Sequence, residues 1–200
     1  MDNIKWNSDR KCYNFWKTDP NNLVYGSFLP ILEQAVTLFK GDVLEFGSGH
    51  NSTPFLCDFL SEEDELYTFE YDLTWYENIK NCKYHTKKNH NIYHIKDWQS
   101  SFIYEDDFYK KDEWSVIFID HSPGERRIEE IKNFINKCDI MLIHDFNADS
   151  MGGAYGWSKV YDICTYCKEI PAREEVPYPS PSTAIVSNKH DINNMKWSIE

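Results

Sequence analysis

Asp42-Val-Leu-Glu-Phe-Gly-Ser-Gly-His-Asn-Ser52 decides how the rest of this chain is read. Val43, Leu44 and Phe46 form an apolar run of strand length that stops at Gly47-Ser48-Gly49, after which Asn51 or Ser52 can cap a helix with Pro54 in its first turn. Strand, glycine-rich turn and helix start together make a ligand cradle, because glycine lets a ligand reach the backbone and a helix N-terminus offers spare N–H donors. Taken alone, Gly-x-Gly also fits an ordinary tight turn. Two acids sharpen the reading: Glu45, placed before the glycines, and Glu70, which closes the next apolar run, Glu65-Leu-Tyr-Thr-Phe-Glu70.

At 200 residues the chain has room for one domain with a full core, and none for a nucleotide domain plus a separate catalytic one. The net charge of −12, with Lys87-Lys88 and Arg126-Arg127 only as pairs, argues against a nucleic-acid partner, which needs a basic groove. No apolar run approaches membrane length and the N-terminus Met1-Asp-Asn-Ile-Lys is polar, so the expectation is a cytoplasmic protein without membrane contact. The six cysteines are then expected as free thiols. Cys164-Thr-Tyr-Cys167 has metal-site spacing but lacks two further ligands, so buried thiols on a helix are its simpler reading.

Ahead of the cradle, Leu29, Leu32, Val36 and Phe39 recur at helical spacing, with Ser27 as a cap and Gly41 as a stop, making residues 1–40 a helical cover over a core of 42–187. Further strands are expected at 91–95, ending in Asp97-Trp98, at 114–120, at 139–143, at 168–174 and at 182–187, with helices between. Asp72 or Thr74 starts one helix; Ser122-Pro-Gly-Glu125 reads as a capping box for another, with Ile128, Ile131 and Ile135 as its apolar stripe. Glu45, Glu70, Asp97, Asp120, His144 and Asp145 all fall at or just after strand ends, where an open parallel sheet binds its ligands.

Acid-x-Gly-x-Gly at Glu45-Phe-Gly47-Ser48-Gly49, followed by Glu70 at the second strand end, resembles the class I S-adenosylmethionine-dependent methyltransferases. A dinucleotide dehydrogenase would carry Gly or Ala where Ser52 stands, and no acid before the glycines. The resemblance implies an α/β, Rossmann-like, seven-stranded, mostly parallel sheet with helices on both faces and the last strand antiparallel. It also implies S-adenosylmethionine as cofactor, held by Glu45, Gly47, Ser48, Gly49, Ser52, Glu70, Asp97, Trp98 and Asp120.

An alcohol acceptor needs a general base or a metal ion to become a nucleophile. For the base, His121 is favoured because it follows Asp120, with His144 second. Phe118-Ile-Asp120-His121 resembles the strand end of catechol O-methyltransferase-like enzymes, which implies a Mg²⁺ or similar ion on Asp120, Asp145 and Asn147. Asn147 comes one place later than in that pattern, and the rival role for Asp120 is to orient the base or the cofactor. The turn Asp120-His-Ser-Pro-Gly-Glu-Arg-Arg127 resembles glycan methyltransferases, glucuronoxylan methyltransferases distantly among them, implying a sugar or small-molecule hydroxyl as acceptor. Arg126 and Tyr155 are the candidate acceptor contacts, though Arg126 and Arg127 can equally pair with glutamates along their helix. The rival functions are an NAD-dependent oxidoreductase or sugar-nucleotide enzyme, and a cofactor-binding module without chemistry.

Overall fold

The computed structural model describes residues 26–81, 89–98, 111, 113–146, 157–171 and 181–197. Its elements in order are α1 (Leu29–Leu38), β1 (Val43–Phe46), α2 (Ser52–Phe59), β2 (Leu66–Glu70), α3 (Leu73–Lys80), β3 (His90–His94), β4 (Trp114–Ile119), α4 (Arg127–Phe134), β5 (Cys138–Ile143), α5 (Val160–Ile163), β6 (Tyr166–Ile170) and β7 (Thr183–Ser187). The strands form one seven-stranded sheet in the order β3-β2-β1-β4-β5-β7-β6. All pairings are parallel except those of β7, which runs antiparallel to both β5 and β6.

Every residue of β1, β4 and β7 is buried, as expected of strands covered on both faces, and alternate side chains feed two cores. Val43, Val116, Phe118, Leu142 and Ile185 pack beneath Leu29 and Leu32 of α1 and Phe55 and Leu56 of α2. Leu44, Phe46, Ile117, Ile119, Met141 and Ile143 pack against Ile128, Ile131 and Phe134 of α4 and Val160 of α5. No helix of the described residues is long and apolar enough to cross a membrane.

Four local expectations are corrected. β6 occupies Tyr166–Ile170 rather than 168–174, because as an edge strand with mostly half-buried residues it lacks the continuous apolar run that marks β4. The Ser122–Glu125 box does not form: a 3-10 turn at Gly124–Arg126 precedes α4, and Pro123 at its cap position makes no side-chain cap bond. Asn51 likewise makes no cap bond to α2; Thr53 Oγ1 instead accepts from the Gly49 N–H. Ser27 leaves α1 uncapped because its hydroxyl turns to His144. Asp72 does cap α3, accepting from the Trp75 N–H at 2.9 Å.

Cys57, Cys138, Cys164 and Cys167 are free thiols. Burial pushes Cys164 up to about 12 and Cys167 up to about 11, so both thiols are protonated at neutral pH.

Candidate functional site

Backbone hydrogen bonds lock the carboxyl ends of the central strands side by side. Gly47 N donates to Phe69 O, Asp120 N to Phe46 O and His144 N to Ile119 O, so the residues just beyond β2, β1, β4 and β5 lie along one edge of the sheet. β1 sits between β2 and β4, the point where the strand order reverses and a cleft opens.

The cradle closes on Glu70. Its Oε2 accepts from both the Ser48 N–H at 2.7 Å and the Ser48 hydroxyl at 2.8 Å, while Oε1 accepts from the Asp72 N–H at 2.7 Å. This is a charge-assisted clamp on the glycine turn, and it sets a carboxylate beside the loop backbone. Glu45 props the turn from below: Oε2 accepts from Thr53 Oγ1 at 2.9 Å and Thr68 Oγ1 at 2.7 Å. Its Oε1 is buried with no hydrogen-bond partner. Exposed Tyr71, Leu73 and Trp75 follow Glu70, with the Trp75 ring 4.6 Å from that of His50.

Burial pushes the Glu45 carboxyl up to about 7, against the lowering influence of the Ser52, Thr68 and Thr53 hydroxyls. The folded protein therefore keeps a proton that the unfolded chain has already released above its ordinary 4.5. Stability from this group is complete below that value and is lost as pH rises through 7, a drop of about 3 kcal/mol. Glu45→Gln is expected to flatten this slope, read from urea unfolding at about pH 5 and about pH 8. An unchanged pH dependence would show that Glu45 stays ionised.

Beyond β4 and β5 lies a second constellation. His144 Nδ1 stands 3.1 Å from Asp120 Oδ1 and 3.6 Å from Asp145 Oδ1. Its Nε2 is 3.2 Å from the Ser27 hydroxyl, carried by the residues just before α1. Buried Arg127, the first residue of α4, reaches Asp120 Oδ1 at 3.2 Å and Asp145 Oδ2 at 3.4 Å, and donates to the His121 and His144 carbonyls at 2.8 and 2.7 Å. Asp145 holds its place with a left-handed backbone, φ 56°, which costs a non-glycine residue about 1 kcal/mol or more. Burial by itself lowers an imidazole, but the Asp120 carboxylate and then Asp145 outweigh it and raise His144. Burial likewise opposes ionisation of Asp120, yet His144 and Arg127 hold it below the usual carboxylate value.

His121 points elsewhere. It is 2% exposed, stacked at 4.0 Å on Trp98, with Nε2 3.1 Å from Glu130 Oε2, and burial lowers its pKa despite that carboxylate. Arg126 is engaged by Glu130 Oε1 at 3.1 Å and the Trp98 carbonyl at 3.0 Å, and Trp98 Nε1 donates to the Ser122 carbonyl. His121, Trp98 and Glu130, joined by half-buried Arg126, thus form one knot under the turn after β4. Asp97 is exposed at the end of β3. Ser52 is buried at the start of α2, against the base of the loop. Asn147 and Tyr155 lie outside the described residues.

Asp120, His144 and Asp145 are the one group of three metal-capable side chains among the described residues, with ligand atoms within 4.8 Å of one another. Both carboxylates already meet the Arg127 guanidinium, so the donor set is charge-compensated from within. Ser27 and Glu130 are the members that sequence reasoning missed, and Arg127, expected to pair with glutamates along its helix, meets Asp120 and Asp145. Ser27 and His144 are 117 positions apart, and nothing local in the sequence joins them.

The sheet order, with its single antiparallel strand, and the glycine turn after β1 define a Rossmann-like fold. In structure the chain is similar to an O-methyltransferase from Bacillus cereus in complex with SAH, with a TM-score of 0.59 and 14% identity over 82% of this chain and 80% of that one. It is also similar to cofactor-bound Rv0187 from MTB, with a TM-score of 0.63 and 13% identity over 92% of this chain and 93% of that one. No protein-family model matches the sequence. No curated protein matches it either.

Proposed function

We propose that this protein is an S-adenosylmethionine-dependent O-methyltransferase acting on a hydroxyl of a small molecule, with a sugar as the favoured acceptor. The observation that carries the reading is the pairing of His144 Nδ1 with Asp120 Oδ1 at 3.1 Å, beside a cradle in which Glu70 holds the glycine turn. Orphaned Glu45 Oε1 beneath the turn and the Glu70 carboxylate on it suit a nucleoside-bearing cofactor. Ser48, Gly49 and Glu70 would hold its ribose end, with exposed Tyr71 and Trp75 beside them.

When bound, the cofactor supplies an electrophilic methyl group on a sulfonium. The chain's task is to orient the acceptor and remove its proton. Asp120 accepts from Nδ1–H of His144, which directs Nε2 at a hydroxyl position now filled by Ser27 Oγ. An acceptor hydroxyl placed there would deliver its proton to Nε2, and Asp120 and Asp145 would stabilise the resulting imidazolium. His144 therefore replaces His121 as the proposed base, since His121 spends its Nε2 on Glu130 inside the core. The sugar preference rests on the turn from Asp120 to Arg127.

Thermal unfolding with S-adenosylmethionine, S-adenosylhomocysteine or NAD tests the cofactor. A ligand at a hundredfold over its Kd adds about 2.7 kcal/mol, which for a chain of this size raises Tm by about 5 to 10 °C. The expected pattern is a shift with the sulfonium and its product, none with NAD, and none in Glu70→Ala. A shift with NAD alone would overturn the proposal in favour of an oxidoreductase. Transfer of labelled methyl to a panel of monosaccharides, uronic acids and phenols then separates sugar from other acceptors.

A further inference from the structure

We infer that Arg127 is the resident cation of this site, a positioning residue whose guanidinium does for Asp120 and Asp145 what a divalent metal ion would otherwise do. The inference rests on the methyl-transfer reading for its catalytic meaning, but its geometry stands independently.

Two carboxylates at adjacent strand ends repel one another and need a positive partner. Arg127 supplies it from the first residue of α4. Nη2 lies 3.2 Å from Asp120 Oδ1, and Nη1 and Nη2 each lie 3.4 Å from Asp145 Oδ2. The remaining reach of the fork goes to backbone: Nε donates to the His121 carbonyl at 2.8 Å and Nη1 to the His144 carbonyl at 2.7 Å. A guanidinium carries five N–H donors in one plane, and these contacts draw on all three of its nitrogens. It therefore neutralises the carboxylates and also ties the turn after β4 to the turn after β5. A lysine ammonium could do the first and not the second.

His144 completes the compensation. Its Nδ1 faces Oδ1 of both aspartates, so it shares Asp120 Oδ1 with Arg127 and divides the two oxygens of Asp145 with it. A divalent ion entering among Asp120, His144 and Asp145 would have to displace the His144 proton and sit close to a fixed positive charge. The same donors without Arg127 are a two-carboxylate, one-imidazole set of a kind that suits transition-metal ions.

Direct Mn²⁺ titration of the full chain, followed by the EPR signal of the free ion, tests this without cofactor, acceptor or turnover. Its failure is thus distinguishable from failure of the methyl-transfer reading. The wild type is expected to leave Mn²⁺ free. Arg127→Gln is expected to bind one equivalent at least about a hundredfold more tightly, and adding Asp120→Asn to that variant should abolish the gain. Stoichiometric binding by the wild type that Asp145→Asn removes would overturn the inference, as would a folded Arg127→Gln that binds no better than wild type. If Arg127→Gln fails to fold, Arg127→Lys, which keeps the charge but cannot tie both turns, is titrated instead. Mn²⁺ left free there, as in the wild type, supports the inference, and stoichiometric Mn²⁺ binding overturns it.

Discussion

Gly47→Ala is expected to destabilise the fold by about 3 to 5 kcal/mol and to eliminate cofactor binding in whatever fraction still folds. Gly47 has φ 90°, where an L side chain is strained, and a Cβ there would lie 2.7 Å from both Cα and N of His121 and 2.8 Å from the Asp120 carbonyl carbon. These are backbone atoms fixed at the end of β4 by the Asp120 N–H to Phe46 O bond, so no side-chain rotation relieves the clash. For a chain of this length the loss corresponds to a Tm lower by about 6 to 20 °C. Gly49→Ala is the control. Its Cβ would meet only a side-chain atom, Ser52 Oγ at 3.2 Å, which has to give by a few tenths of an ångström, and the fold should survive with a change within about 0.5 kcal/mol. Equal stability of the two variants, measured by urea unfolding, would contradict this account of the turn.

The contrast between the glycines also shows how far residue order reveals structure. β1, β4 and β5 were readable because a strand covered on both faces must be a continuous apolar run, and Val43–Phe46, Trp114–Ile119 and Cys138–Ile143 nearly are. Their polar ends were readable for the same reason, since a buried run that stops at Asp or His marks where the strand leaves the core. β6 was misplaced because an edge strand has no such run to mark it. His121 and His144 look alike in sequence, each adjoining an aspartate at a strand end. Their fates are separated by partners from elsewhere: Glu130 and Trp98 draw His121 inward, whereas Ser27 and Asp120 hold His144 at the site. The capping box failed for a related reason. Arg127 is drawn into the Asp120–Asp145 pair, which sets where α4 begins more strongly than a single Ser–Glu exchange could.

Asp120→Asn is expected to lower kcat by about 10² to 10⁴ while leaving the Kd for S-adenosylhomocysteine within about threefold of wild type. The split follows from the geometry. Asp120 meets His144, the proposed base, at 3.1 Å, whereas Ser48 and Glu70 form the clamp proposed to hold the cofactor. The same substitution should move the pH profile. His144 is raised above its ordinary 6.5, chiefly by Asp120 against the cost of burial, so the acid limb of kcat/KM should lie above pH 6.5 in the wild type. That limb should shift downward in Asp120→Asn, and by less in Asp145→Asn, because Asp145 Oδ1 stands farther from Nδ1, at 3.6 Å. Stability carries the matching signs. The raised His144 contributes most below its unfolded value, and that contribution fades as pH climbs through its folded one. The lowered Asp120 contributes above 3.8 and fades as pH falls through its folded value. The pair is therefore strongest in the mildly acidic range, below the pH at which a neutral His144 can take a proton, so the catalytic optimum should lie on the alkaline side of the stability maximum. An acid limb that stays in place in Asp120→Asn would remove His144 as the base, and retention of more than about a tenth of kcat would remove Asp120 as its orienting partner.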